Sequence, residues 1–124
     1  MSPRHVPATQ AELSRIGLLA ELPGEQLNQL AKRMRREDIP GGEAPILEGE
    51  PGDRFYVVLN GMFAVSNLGS MPRRMLRPGD YFGEVALAMD IPRTANVRAL
   101  TPAVVASCDK QTFDEFLRPL FTDA

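Results

Sequence analysis

Early in the chain, apolar positions recur at helical spacing. Thr9 stands ahead of a run from Gln10 with Glu12 at the third helical position, a capping-box arrangement, and Leu13, Ile16 and then Leu19 or Ala20 fall on one face. Pro23 suits a helix start, after which Leu27, Leu30, Ala31 and Met34 repeat at three- and four-residue spacing while Arg33, Arg35 and Arg36 lie toward solvent. The pattern predicts an unstructured tail over 1–8 and two amphipathic helices within 9–36, their stripes packed into a core. From Ile39 the texture changes to short apolar runs broken by Pro40-Gly41-Gly42, Gly49-Glu50-Pro51-Gly52-Asp53, Asn60-Gly61 and Pro78-Gly79-Asp80. Strands are predicted at 44–47, 55–59, 62–65, 73–76, 97–100 and 103–107, a spacing that points to an antiparallel sandwich or small barrel over 37–108. Asn60-Gly61 between two apolar runs predicts a β-hairpin with a type I′ turn, because both residues tolerate positive φ. A last helix over 109–118, capped by Asp109 or Thr112, carries Phe113, Phe116 and Leu117 before Pro119 interrupts it. There is no internal repeat and no low-complexity tract.

Composition narrows what such a fold does. The 124 residues are 44% hydrophobic and 24% charged with a net charge of −2, which describes one domain, 9–124, and supplies no long-range field toward nucleic acid or an anionic membrane. No stretch approaches the roughly 18 consecutive apolar residues of a membrane span, and the start lacks the apolar core of a signal peptide. A cytoplasmic protein is expected, with no nucleic acid or membrane contact of its own. The lone Cys108, inside an apolar run, agrees as a small buried residue in a reducing compartment. His5 is the only histidine and lies between two prolines in the tail, so histidine metal clusters, histidine general bases and the nucleophiles they activate are excluded.

One stretch breaks the strand texture, the segment from Tyr81 to Val97. Glu84 to Met89 can form about one and a half helical turns, and the small residues Gly83, Ala86 and Ala88 leave amides near its start unshielded. A helix start offers unpaired donors and partial positive charge to a phosphate-sized anion. Arg93, held by Pro92, can add a charge-assisted fork to the same anion with the Thr94 hydroxyl beside it, and Glu84 can accept hydrogen bonds from ligand hydroxyls. Anion and hydroxyl together suggest a nucleotide. Taken singly, Arg93 reads equally well as a surface cation pairing with Asp90, Glu84 as a first-turn acid, Thr94 as a β-branched residue entering a strand, and Arg73, Arg74 and Arg77 as a solvated face.

At these residues the chain resembles the cyclic-nucleotide-binding domain family. The family's phosphate-binding cassette runs Phe-Gly-Glu, an apolar residue, Ala-Leu, a short variable stretch, then Pro-Arg, a small residue and Ala. Here it stands as Phe82-Gly83-Glu84-Val85-Ala86-Leu87 and Pro92-Arg93-Thr94-Ala95. The resemblance extends upstream through Pro40-Gly41-Gly42, Glu48 to Asp53 and Tyr56 to Gly61, and covers about residues 10–118. It implies a mainly β fold with flanking helices, an eight-stranded antiparallel jelly-roll barrel. It also implies that Glu84 binds the ribose 2′-hydroxyl and Arg93 the cyclic phosphate. Amides near Gly83 and Ala86, and at Thr94 and Ala95, complete the phosphate cradle, and Val85, Val65 and the barrel wall hold the base. Leu87 would shift toward the C-terminal helix on binding, with Phe113 and Phe116 as hinge contacts.

Two positions bear on the base. Thr94 matches the threonine with which cGMP-selective relatives meet the guanine 2-amino group, and Arg74 could match their arginine at guanine O6, whereas many bacterial cAMP binders place Ser or Thr after the cassette arginine for phosphate alone. cAMP is the first expectation and cGMP the second. So little chain follows Phe113 that a lid over the base is short or absent, unless Phe121 folds over the pocket. The expected function is a regulatory sensor module, not an enzyme, that binds cAMP or cGMP with no other cofactor and signals through its terminal helices to an attached or separate effector. A metal-dependent jelly-roll enzyme would need barrel histidines. The rival is a ligand-free structural or dimerising jelly roll, for which Glu84 and Arg93 would have no purpose.

Overall fold

The run Phe55-Tyr56-Val57-Val58 is buried on both faces, and the strand that contains it organises the molecule. A computed structural model describes residues 6–66 and 74–121. Strand β1 (Arg35–Ile39), β2 (Arg54–Asn60), β3 (Phe63–Ser66), β4 (Arg74–Leu76), β5 (Tyr81–Phe82), β6 (Asn96–Ala99) and β7 (Ala103–Asp109) form two antiparallel sheets, ordered β1-β7-β2-β5 and β4-β3-β6. Ile46 bridges Val97 of β6 as a further short extended segment. The expected jelly roll is thus present as two facing sheets with helices at the flank.

Side-chain alternation divides the interior into two layers. Phe55 and Val57 of β2, with Ala106 and Cys108 of β7, face the helices, while Tyr56, Val58 and Val105 face Phe63, Leu76, Val97 and Ala99 of the second sheet. Helix α1 (Gln10–Leu13), a 3₁₀ turn (Gly17–Glu21) and α2 (Gly24–Arg33) cover the outer face of the larger sheet through Leu13, Ile16, Leu19, Leu27 and Leu30. The capping box forms: the Glu12 amide donates to Thr9 Oγ1 and the Thr9 amide to Glu12 Oε1, both at 3.0 Å. Helix α3 (Glu84–Met89) follows β5. At the C-terminus, α4 (Lys110–Thr112), a π-helical turn (Phe113–Leu117) and α5 (Arg118–Phe121) run into one another as one helix.

Several local expectations are corrected. Residues 6–8 of the predicted tail are ordered: Pro7 bridges Arg35, and the Ala8 amide donates to the Met34 carbonyl. Residues 1–5 of that tail, with His5, lie outside the described residues, as does Arg73. Ala20 is exposed and Leu19 takes the core position. The helical region ends at Arg33, not 36, because Arg35 and Arg36 extend as an edge strand along β7, and β5 is not among the strands predicted from the sequence. The strand expected over 44–47 is reduced to the single bridge at Ile46. Asn60-Gly61 does turn the chain, with Gly61 at φ +84°, but no hairpin forms. Strand β2 pairs with β7 and β5, whereas β3 pairs with β4 and β6 in the other sheet, so the turn is a crossing between sheets. Asn60 itself stays in β2. The last helix passes Pro119 and reaches Phe121, because the wider π turn just before it accommodates the missing donor and the ring.

Candidate functional site

Gly83 joins β5 to α3 in the left-handed region, φ +92°, where side chains other than glycine's are strained. A Cβ there would also lie 2.9 Å from the Arg54 carbonyl oxygen and 3.2 Å from Arg93 Nη1. The turn sets the start of α3 against the inner end of β2. Six residues later the helix stops at Asp90, likewise left-handed at φ +55°, whose amide donates to the Ala86 carbonyl. The expected short helix is therefore present with the bounds the sequence suggested.

The chain then returns past Pro92 and buries Arg93, which is 7% exposed. Its backbone is pinned by the loop before β2: the Arg93 amide donates to the Glu50 carbonyl and the Gly49 amide to the Arg93 carbonyl, both at 2.8 Å. Its guanidinium donates from Nη1 to the Gly83 carbonyl at 2.9 Å and from Nη2 to the Arg54 carbonyl at 2.8 Å. Among the described residues no carboxylate forms an ion pair with it, so the reading of a surface cation paired with Asp90 is set aside. Burial draws the guanidinium below its usual pKa, with Tyr56, Asp53 and Glu84 pulling the other way. It nevertheless stays a cation at neutral pH. Among the described residues this buried cation is held by neutral carbonyls, with the Asp53 and Glu84 charges acting on it from outside ion-pair contact, a weak offset to its desolvation.

Arg93 lies on the wall of a cleft that is partly open to solvent. Val65, Arg74, Gly83, Glu84, Val85, Ala86, Thr94 and Ala95 line the same cleft, so the residues that the sequence assigned to ligand contact are brought together there. The elements that gather them are distant along the chain. Antiparallel pairing sets Val65 of β3 directly opposite Arg74 of β4, and β5 with α3 supplies the facing wall. Arg74 and Thr94 are exposed at the rim, and Glu84 is half-buried. Sequence reasoning missed Ile46, Leu76, Tyr81, Phe82 and Val97, which complete the lining. Tyr81 was inside the conspicuous segment, and its place two residues before Gly83 was the available signal. Its hydroxyl pKa is raised, by burial first and then by the Glu84 charge.

No lid covers the cleft from the described C-terminal residues. Phe121 does not fold over it; its ring stacks on Phe113 at 5.7 Å and meets Tyr81 edge-on at 5.5 Å, inside the helical layer. Leu87 is fully buried in that same layer with Phe113 and Leu117, and Phe116 packs at its margin. Among the described residues no group of three or more His, Cys, Asp or Glu side chains could hold a metal ion, and no helix is long and apolar enough to cross a membrane.

Comparison with known proteins bears on the same residues. The sequence profile described as "Cyclic nucleotide-binding domain" matches residues 36–119. A cAMP-dependent protein kinase regulatory subunit of Yarrowia lipolytica is 40% identical over 109 residues, which are 87% of this chain and 29% of that protein. The chain thus spans less than a third of the length of this relative. Among solved structures, the regulatory domain of Toxoplasma gondii PKA with cAMP superposes with a TM-score of 0.83 at 28% identity, covering 90% of this chain and 44% of the other. The regulatory subunit of a cAMP-independent protein kinase A from Trypanosoma cruzi, bound to guanosine, superposes with a TM-score of 0.81 at 25% identity, covering 89% and 40%.

Proposed function

The chain belongs to the cyclic nucleotide-binding domain family, and from that premise we propose that its cleft takes cAMP in preference to cGMP and that binding is relayed to a protein-kinase effector. The domain is a cyclic-nucleotide-binding regulatory module. The observation that carries the reading is Arg93: a buried cation with two neutral carbonyl partners and, among the described residues, no carboxylate in ion-pair contact, on the wall of a cleft partly open to solvent. A phosphate is the complement it lacks, an anion whose two free oxygens can accept from the N–H groups of the planar guanidinium.

In this reading the cyclic phosphate sits between Arg93 and the amides around Ala86, Thr94 and Ala95. Glu84 accepts from the ribose 2′-hydroxyl, and Val65 and Val85 face the base. A first-turn acid at the mouth of an anion site is otherwise unfavourable, and a hydroxyl partner accounts for it. The module carries out no reaction of its own and acts in the cytoplasm by moving its terminal helices against an effector, either attached or separate. The names of its relatives, regulatory subunits of cAMP-dependent protein kinases, favour a kinase as that effector and cAMP as the ligand. Guanine recognition is the second reading, because Arg74 and Thr94 share one cleft, as an arrangement that reads guanine would require.

Calorimetric titration of the chain with cAMP and with cGMP tests both. cAMP is expected to bind more tightly than cGMP, and Arg93→Ala to weaken cAMP at least about 10²-fold, since a buried charge-assisted partner of the phosphate is lost. Arg93→Ala binding within a few-fold of the unmodified chain overturns the site. Tighter cGMP binding overturns the choice of base, and no binding of either nucleotide leaves the ligand-free structural jelly roll as the better account.

A further inference from the structure

Helix α3, which forms one wall of the cleft, is too short to hold itself. At six residues it has few internal hydrogen bonds, and the carbonyls of its last turn need outside donors. Two of them are met from the other end of the chain: Arg118 Nη2 donates to the Leu87 carbonyl at 2.9 Å and Nη1 to the Ala88 carbonyl at 3.0 Å. The positive charge also sits where the helix dipole favours it. Arg118 is itself fixed from below, by Nε donating to Asp114 Oδ1 at 2.9 Å and by its position 5.8 Å over the Phe113 ring.

The direction of this side chain is set by an irregularity. Residues Phe113–Leu117 form a π-helical turn, closed by the Arg118 amide donating to the Phe113 carbonyl. The extra residue in that turn rotates everything after it by about 100° relative to a regular helix, and it is this rotation that aims Arg118 at α3. Meanwhile Leu87, whose carbonyl is gripped, is buried against Phe113 and Leu117. One guanidinium therefore holds the far end of the helix whose near end carries Glu84.

We propose that Arg118 is a positioning residue for the cleft, clamping the C-terminal end of α3 so that cyclic-nucleotide affinity and the placement of the last helix are coupled through its two carbonyl contacts. The proposal rests on the functional reading above. The clamp keeps α3 formed before ligand arrives. Without it, binding must also order α3, and the C-terminal helix no longer senses that ordering.

Hydrogen exchange of the 124-residue chain, with and without cAMP, combined with cAMP titration, tests this in Arg118→Met, Arg118→Lys and Asp114→Asn. Arg118→Met is expected to speed exchange over 84–90 in the ligand-free state and to raise the cAMP dissociation constant about tenfold, the loss of a charge-assisted contact. With cAMP bound, its α3 regains protection while 113–121 gains less than in the unmodified chain. Arg118→Lys, a point charge in place of the fork, recovers part of each effect, and Asp114→Asn, which frees the anchor, shows a smaller loss of the same kind. Should Arg118→Met not fold, the other two variants carry the test. Exchange over 84–90 and cAMP affinity both unchanged overturn the proposal. So does acceleration spread equally over β2 and β7, the mark of general destabilisation. If the unmodified chain fails to bind cAMP, the functional reading falls, and the ligand-free exchange of α3 still decides whether the clamp exists.

Discussion

A methyl group on Gly52 would lie 2.4 Å from Ala86 Cβ and 3.1 Å from both Cζ and Nε of Arg93. Gly52 needs no positive φ, so alanine there is strained by space and not by backbone. The loop before β2 thus approaches the guanidinium closely enough to fix where it points, in addition to pinning its backbone through Gly49 and Glu50. Gly52→Ala is expected to lower cAMP affinity by about tenfold, the usual size of an overpacking penalty, and Ala86→Gly in the same chain to restore part of it. Titration of the single and double variants measures both; equal affinity in Gly52→Ala would mean that Arg93 has room to spare. At this scale the sequence was informative about identity and poor about partners. Most of the cassette residues could be picked from one contiguous segment, and Phe82 to Ala86 with Arg93 to Ala95 meet in one cleft, while Leu87 turns into the helical layer. The carbonyls of Arg54 and Gly83 that hold Arg93, and Gly52 beside it, were not legible, because the contact to Arg54 joins residues 39 apart.

Elements were legible where the signal was local. The Thr9 capping box and the Asp109 cap both form, the latter through the Thr112 amide donating to Asp109 Oδ1 at 2.8 Å. These bonds favour the ionised carboxylate and hold Asp109 below the usual carboxylate pKa. A carboxyl group whose pKa is lower folded than unfolded contributes stability above its unfolded value near 3.9 and loses it as pH falls through the folded value. Asp109→Ala is therefore expected to cost about 1 kcal/mol in urea unfolding at pH 7, with the gap between variant and unmodified chain closing as pH drops below about 4. A gap that persists at low pH would assign the loss to β7 packing and not to the cap. Pairing, by contrast, was not local. Gly61 supplies the positive φ that the turn signal promised, yet β2 and β3 separate into different sheets. Both edges of β2 are already taken, one by β7 and the other by β5, which leaves β3 no edge to pair with and sends it into the second sheet. Strand β1, reading Arg-Arg-Glu-Asp-Ile, carries almost no apolar pattern because it is an edge with alternate side chains toward solvent.

At the scale of the whole molecule, the layers explain how a small domain can register a ligand. Helices cover one face of the larger sheet and the second sheet covers the other, and α3 belongs to both sides. Its start lines the cleft through Glu84, Val85 and Ala86, while Leu87 sits fully buried in the helical layer. Ligand shifts a conformational balance only as far as its affinity differs between the two states, and a helix that lines the cleft at one end and packs on the C-terminal helix at the other is placed to supply such a difference. The antiparallel sandwich was legible from strand spacing, but its division into layers was not, since that depends on which strands share a sheet. Thermal unfolding of the chain with cAMP and, in parallel, with adenosine, which keeps the base and ribose and lacks the phosphate, decides whether this cleft is a phosphate site built around Arg93. At 100 times its dissociation constant cAMP stabilises by about 2.7 kcal/mol, a rise in Tm of order 10 °C for a domain of this size. A phosphate site built on Arg93 gives that rise with cAMP, little or none with adenosine at the same concentration, and no rise in Arg93→Ala; equal shifts with cAMP and adenosine, or a cAMP shift that survives Arg93→Ala, would rule it out.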